Sequence, residues 1–170
     1  MTRPPFDPPS AEDVRIVSAQ LGRPARDVVG IAARCACGAP TVVSTRPRLR
    51  DGTPFPTFYY LTHPAATAAV STLEAQGRMP QLAALLEGAT AEAYRAAHLQ
   101  YLADRDSVAE VDEIAGISAG GMPDRVKCLH ALVGHTLAAG PGVNPIGDLA
   151  LAEATWSPER CECAVYPVAP

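Results

Sequence analysis

The chain has 170 residues, 48% of them hydrophobic, with 14 basic and 18 acidic side chains and a formal charge of −4. That length suits one domain able to bury a core. The acidic balance offers no basic footprint for nucleic acid or a membrane surface, no apolar run reaches the ~18–20 residues that span a bilayer, and no apolar signal core opens the chain, so a cytoplasmic protein binding neither is expected.

In chain order, residues 1–9 are Pro-rich and read as a disordered N-terminal segment. Ser10 then caps a helix with acids in its first turn and Val14, Val17 and Leu21 at helical spacing, and Gly22 ends it. Residues 28–34 and 41–45 are β-branched strands joined by the CACGAP turn, which makes a hairpin with cysteines at its tip. An Arg-rich, Pro-punctuated loop follows and closes in a third strand, TFYYL, with His63 at its end. From residue 65 the pattern is helical: 66–76, 79–86, and a long helix from Thr90 to about Ser107 on which Tyr94, His98, Tyr101 and Arg105 share one face. A weakly patterned connector, 108–119, leads to Gly120-Gly121. There Pro123 reads as the first residue of a central helix running to Ala139, stopped by Gly140-Pro141. Val126, Leu129, Val133 and Leu137 form its core stripe. A short helix over about 147–154 precedes an irregular Pro-rich tail. The expected fold is α+β: a small antiparallel sheet of about three strands covered by about five helices, as a single domain over 10–156 with a tail over 157–170.

Five cysteines, an odd number, in a chain with no secretory signal argue against a disulfide framework and leave metal binding, reactivity or burial. Cys35 and Cys37 form one Cys-x-Cys pair and Cys161 and Cys163 another, while Cys128 stands alone beside Lys127, the only lysine of the chain. Zinc knuckles carry Cys-x2-Cys instead.

The strings DGTPFPTFYYLTHP, YRAAHLQYLADRD and GGMPDRVKCLHALVGHTLAAGPGVNPIGD resemble the actinobacterial family catalogued as domain of unknown function 501, over roughly residues 12–150. The resemblance implies no defined activity; members are often encoded near a septum-formation initiator-like protein and an exopolyphosphatase, which suggests a link to cell division or polyphosphate metabolism. Cys35 and Cys128 fall in the resembling blocks. Cys161 and Cys163 do not, which points away from a site built on the tail pair.

Three chemistries compete. In the first, Cys35 at the hairpin tip, His63 at the strand end and Cys128 with His130 or His135 on the central helix offer borderline and soft ligands that suit zinc, in a cleft that collects them from separate elements. Cys128 and His135, about 10 Å apart along a helix, strain joint ligation, whereas Asp124 and Cys128 at i, i+4 share an ion more easily. In the second, the helix N-terminus after Gly120-Gly121, with Arg125 and Lys127, holds a small anion such as phosphate, and Arg46 and Arg48 add a second wall. In the third, Cys128 is a nucleophile activated by Lys127 or an imidazole. His98 and Asp124 are the candidate acid–base groups. The leading expectation is transition-metal binding, with hydrolytic or phosphate-linked activity. The alternative is an anion-binding accessory protein or an adaptor whose 46–57 loop docks a protein partner.

Overall fold

In the computed structural model, residues 7–160 and 163 are described, and they form a three-stranded antiparallel sheet packed between helices. The first helix, α1 (Ala11–Leu21), starts where Ser10 and Asp13 cap each other reciprocally and stops at the left-handed Gly22. β1 (Val28–Arg34) and β2 (Pro40–Thr45) form the expected hairpin, and β3 (Tyr59–Leu61) lines the other edge of β2, giving the order β1-β2-β3. Ile31 and Tyr60 both pair with Val43. Because side chains alternate across a strand, Ile31 and Val43 meet Val17 of α1 on one face, while Val42, Tyr59 and Leu61 enter the main core on the other. β2 is therefore buried along its whole length.

The main core is closed by α2 (Pro64–Ala75), α3 (Arg78–Ala83), α4 (Gly88–Asp106), α5 (Leu129–Ala139) and α6 (Pro145–Glu153), with a short 3-10 turn at Asp112–Ile114. The described residues thus hold six helices where about five were expected. α5 is the hub, and most of its residues are buried. It can sit that close because Gly134 faces the Tyr59 carbonyl, where an added Cβ would lie 3.2 Å from the oxygen, and because Gly147 of α6 abuts Leu132 O and Thr136 Oγ1. Full burial of Leu129 and Leu132 each contributes roughly 1.5–3 kcal/mol.

The start of the central helix differs from the expectation. α5 begins at Leu129, with Cys128 as its N-cap, and not at Pro123. Residues 120–128 fold back on themselves: the N–H groups of Lys127 and Cys128 donate to Gly120 O, and that of Arg125 donates to Gly121 O. Both glycines have positive φ, 70° and 96°, and a Cβ on either would collide, with Leu132 in one case and with the Arg125 carbonyl in the other. The helical spacing expected of Asp124, Val126 and Cys128 accordingly does not exist. Of the segment 1–9, residues 1–6 lie outside the described residues, and Asp7 bridges to Ile31 beside β1. No described helix is long and apolar enough to cross a membrane.

Candidate functional site: two thiol clusters

The hairpin tip is a tight turn in which Gly38 N–H donates to Cys35 O and Cys35 N–H to Ala39 O, both at 2.8 Å, with Gly38 at φ 89°. This turn points Cys35 inward, 4% exposed, and Cys37 outward. The tail returns to it. Ala36 N–H donates to Pro158 O at 3.0 Å, and Cys163 Sγ comes within 3.1 Å of Cys37 Sγ, beyond the covalent S–S length of about 2.05 Å. The sulfurs of Cys35, Cys37 and Cys163 all lie within 4.8 Å of one another. His63, 1% exposed, projects from the start of α2 with Nε2 3.2 Å from Cys163 Sγ, while its Nδ1 faces the Ala66 N–H at 3.4 Å and its ring lies against Trp156. Two thiolates bound to one tetrahedral zinc, each at 2.3 Å, stand about 3.8 Å apart, so the spacing is of the right order for an ion between them. Cys35, Cys37 and Cys163 can therefore hold a metal ion.

Only part of this was expected. Of the expected ligands Cys35 sits in the cluster, Cys37 and Cys163 join it in place of Cys128, His130 and His135, and His63 meets the cluster at Cys163. The discernible signal was the repeated Cys-x-Cys pair at the two ends of the chain. Cys161, the other member of the tail pair, lies outside the described residues.

The second cluster is at the start of α5. Cys128, His130 and Glu74, the last from the end of α2, place one ligand-type atom each within 4.8 Å of one another. Glu74 Oε1 accepts from Leu129 N–H at 2.7 Å and lies 3.2 Å from His130 Nδ1. His130 Nε2 faces Thr67 O at 3.3 Å and Ser71 Oγ at 3.1 Å. A backbone carbonyl and an ionised carboxylate both only accept, so these two partners are satisfied together by the ring form protonated on both nitrogens. The neighbouring Cys128 sulfur raises the His130 pKa, burial opposes it, and Glu74 adds to the rise. In return the imidazole holds the Cys128 thiol below its ordinary value, against burial, with the Ala131 N–H helping.

His135 belongs to neither group. It is fully buried, stacked on Tyr59, with Nδ1 3.2 Å from the Asn144 amide nitrogen, and burial pushes its pKa down to about 4. His98 is also buried, hydrogen-bonded through Nδ1 to Ser118 Oγ at 2.8 Å, and burial lowers its pKa. Asp124 is exposed and 4.0 Å from Arg95, acting on His98 only through space.

The anion pocket is not assembled. The first N–H of α5 is taken by the Glu74 carboxylate, and Arg125 and Lys127 stand exposed on the preceding loop. Arg46 lies 4.0 Å from Asp27 and Arg48 2.5 Å from Glu113, so the second wall faces carboxylates of the protein itself. The 46–57 loop is folded and not extended: Phe55 N–H donates to Pro47 O, Leu49 N–H to Thr53 O, and Arg48 bridges to Pro54.

Neither the curated proteins nor the solved structures hold a match to the chain. Residues 31–152 match a family described as "Protein of unknown function (DUF501)", a span that contains Cys35, Cys37, His63 and the whole Glu74, Cys128 and His130 group and stops short of Cys163. The chain belongs to the DUF501 family.

Proposed function

We propose that the protein binds one zinc ion through Cys35, Cys37 and Cys163, with His63 Nε2 as the fourth donor, and that the ion is structural. The observation that carries this is the convergence of three sulfurs from the hairpin tip and the tail, with the buried His63 imidazole beside one of them, Cys163. Three soft thiolates with one imidazole are a donor set that selects zinc among the common divalent ions. Four protein donors leave no position for a reactive water, so a structural ion is favoured over a hydrolytic one. Ligation through His63 Nε2 moves the ring proton to Nδ1 and dissolves the long Ala66 contact, a small loss beside the ion's own bonds.

The test is metal analysis of tag-free protein purified without chelator. About one zinc per chain is expected in the natural protein, falling to roughly a tenth or less in Cys35→Ser and Cys37→Ser, with loss of zinc on acidification as the thiolates take up protons. A metal-free protein that melts at the same temperature with and without chelator would overturn the proposal. So would a mass showing Cys37 and Cys163 joined as a disulfide in freshly isolated protein.

A further inference from the structure

The second thiol cluster is chemically unlike the first. Cys128 sits at the N-cap of α5, half-buried, on the wall of a cavity of about 340 Å³ lined by Thr57, Tyr60, Leu61, Thr67 and His130 as well as Cys128 itself. Its neighbour His130 is held on both sides, by the Glu74 carboxylate at Nδ1 and by the Thr67 carbonyl and Ser71 hydroxyl at Nε2, so the imidazole is fixed in place among partners that match its protonated form. An imidazolium beside a thiol at a helix N-terminus is the arrangement that yields a thiolate near neutral pH. We propose that Cys128 is the nucleophile, and His130 the proton donor, of an acyl-transfer site that accepts a small, uncharged activated acyl compound such as an ester or thioester. Glu74 is a positioning residue, since it touches His130 and the α5 N–H and does not line the cavity.

The cavity sets the substrate class. Its other lining groups are hydroxyls and aromatic or aliphatic faces with no charged side chain among them, which suits a neutral, compact acyl group and disfavours phosphate. In the first step the Cys128 thiolate attacks the carbonyl carbon, a C–S bond forms, the bond to the leaving group breaks, and His130 gives that group its proton. In the second step water adds to the thioester, the now neutral His130 takes its proton, the C–S bond breaks, and a carboxylic acid leaves with the thiolate restored. The site is independent of the zinc proposal: no atom of the first cluster takes part.

The experiment uses the full chain as isolated, with p-nitrophenyl acetate as acyl probe and iodoacetamide as thiol probe, followed by peptide mass mapping. Expected are one acetyl group on the Cys128 peptide, its decay by hydrolysis, and alkylation of Cys128 at pH 6.5 at least about three-fold faster than free cysteine, the net of more thiolate and lower intrinsic nucleophilicity. In His130→Gln the rate advantage disappears and its pH midpoint rises, an outcome that a purely structural histidine would not produce. Three results would overturn the proposal: no adduct on Cys128, an adduct that never decays, or alkylation blocked until a chelator is added, which would make Cys128 a metal ligand. The measurements on the natural protein stand even if a variant fails to fold.

Discussion

His135 lies flat against Tyr59, with ring centroids 5.7 Å apart and 11° between planes, and meets Tyr101 edge-on at 5.1 Å. The Asn144 amide nitrogen donates to Nδ1, which places the ring proton on Nε2, a buried atom with no hydrogen-bond partner among the described residues. The ring is thus used as an aromatic plate and is neutral in the fold. Its folded pKa, about 4, is below the ordinary histidine value of about 6.5, so the unfolded chain binds the proton first as pH falls. The associated stability is fully present above about pH 6.5 and is lost on acidification down to about pH 4, to the extent of about 3 kcal/mol. His98, lowered in the same direction by burial, adds to that slope. Melting temperatures recorded from pH 7 to 4.5 are expected to fall, and His135→Phe, which keeps the stack and removes the titration, to flatten the curve. An unchanged slope in that variant would contradict the assignment of His135 as a neutral core ring.

At the scale of elements, the contact between α5 and α6 rests on the missing side chain of Gly147. A Cβ there would overlap Leu132 O and Thr136 Oγ1, the first of which is backbone and cannot turn away. Gly147→Ala is expected to destabilise by about 1–3 kcal/mol, read from denaturant midpoints, by forcing the two helices apart. Gly142→Ala, at a loop glycine of positive φ near this junction with open space around it, separates the steric effect from the strain of positive φ, and is expected to cost less. The anchor of α1 is electrostatic instead. Arg34 of β1 donates to both carboxylate oxygens of Asp13, at 2.7 and 3.1 Å, which holds the Asp13 pKa at about 2. That stability is present above about pH 4 and is lost only as pH falls through about 2, so Asp13→Asn is expected to lower the melting temperature at neutral pH and to leave the pH 4–6.5 slope unaltered.

Sequence patterns fixed these elements unevenly. The hairpin, α1 and the buried face of α4 were legible because each is written in local terms: β-branched runs around a Gly turn, a Ser cap with acids behind it, and Tyr94, His98, Tyr101 and Arg105 at helical spacing. Gly-Gly followed by Pro is also the signature of a helix start, so the local pattern places the start of α5 too early, and only the hydrogen bonds of Lys127 and Cys128 to Gly120 distinguish the folded loop. Glu74 carried no local signal at all. It is one acid near the end of an Ala-rich helix, and its role comes from being docked against Leu129 and His130, 55 and 56 residues away.

For the whole molecule, the first thiol cluster joins parts of the chain that no local rule could connect. Cys37 and Cys163 are 126 residues apart in sequence, which is why two identical Cys-x-Cys pairs read as two separate features. The tail was expected to be irregular, and among its described residues it is, yet Pro158 and Cys163 hold it to the hairpin tip. With zinc bound, limited trypsin digestion after Arg160 is expected to be slow, and chelation to accelerate it several-fold while the core remains resistant. Equal cleavage rates with and without chelator would show that no ion fastens the tail.

A metal bridge between residues 37 and 163 would also decide how the protein carries tension. A pull on its two ends, from an optical trap or a threading protease, would run through α1 and β1 to the hairpin tip, cross the metal to the tail, and leave. The loop enclosed between Cys37 and Cys163, 126 positions apart, which includes the Cys128 cavity and nearly all of the main core, would bear none of that load until a metal–sulfur bond broke.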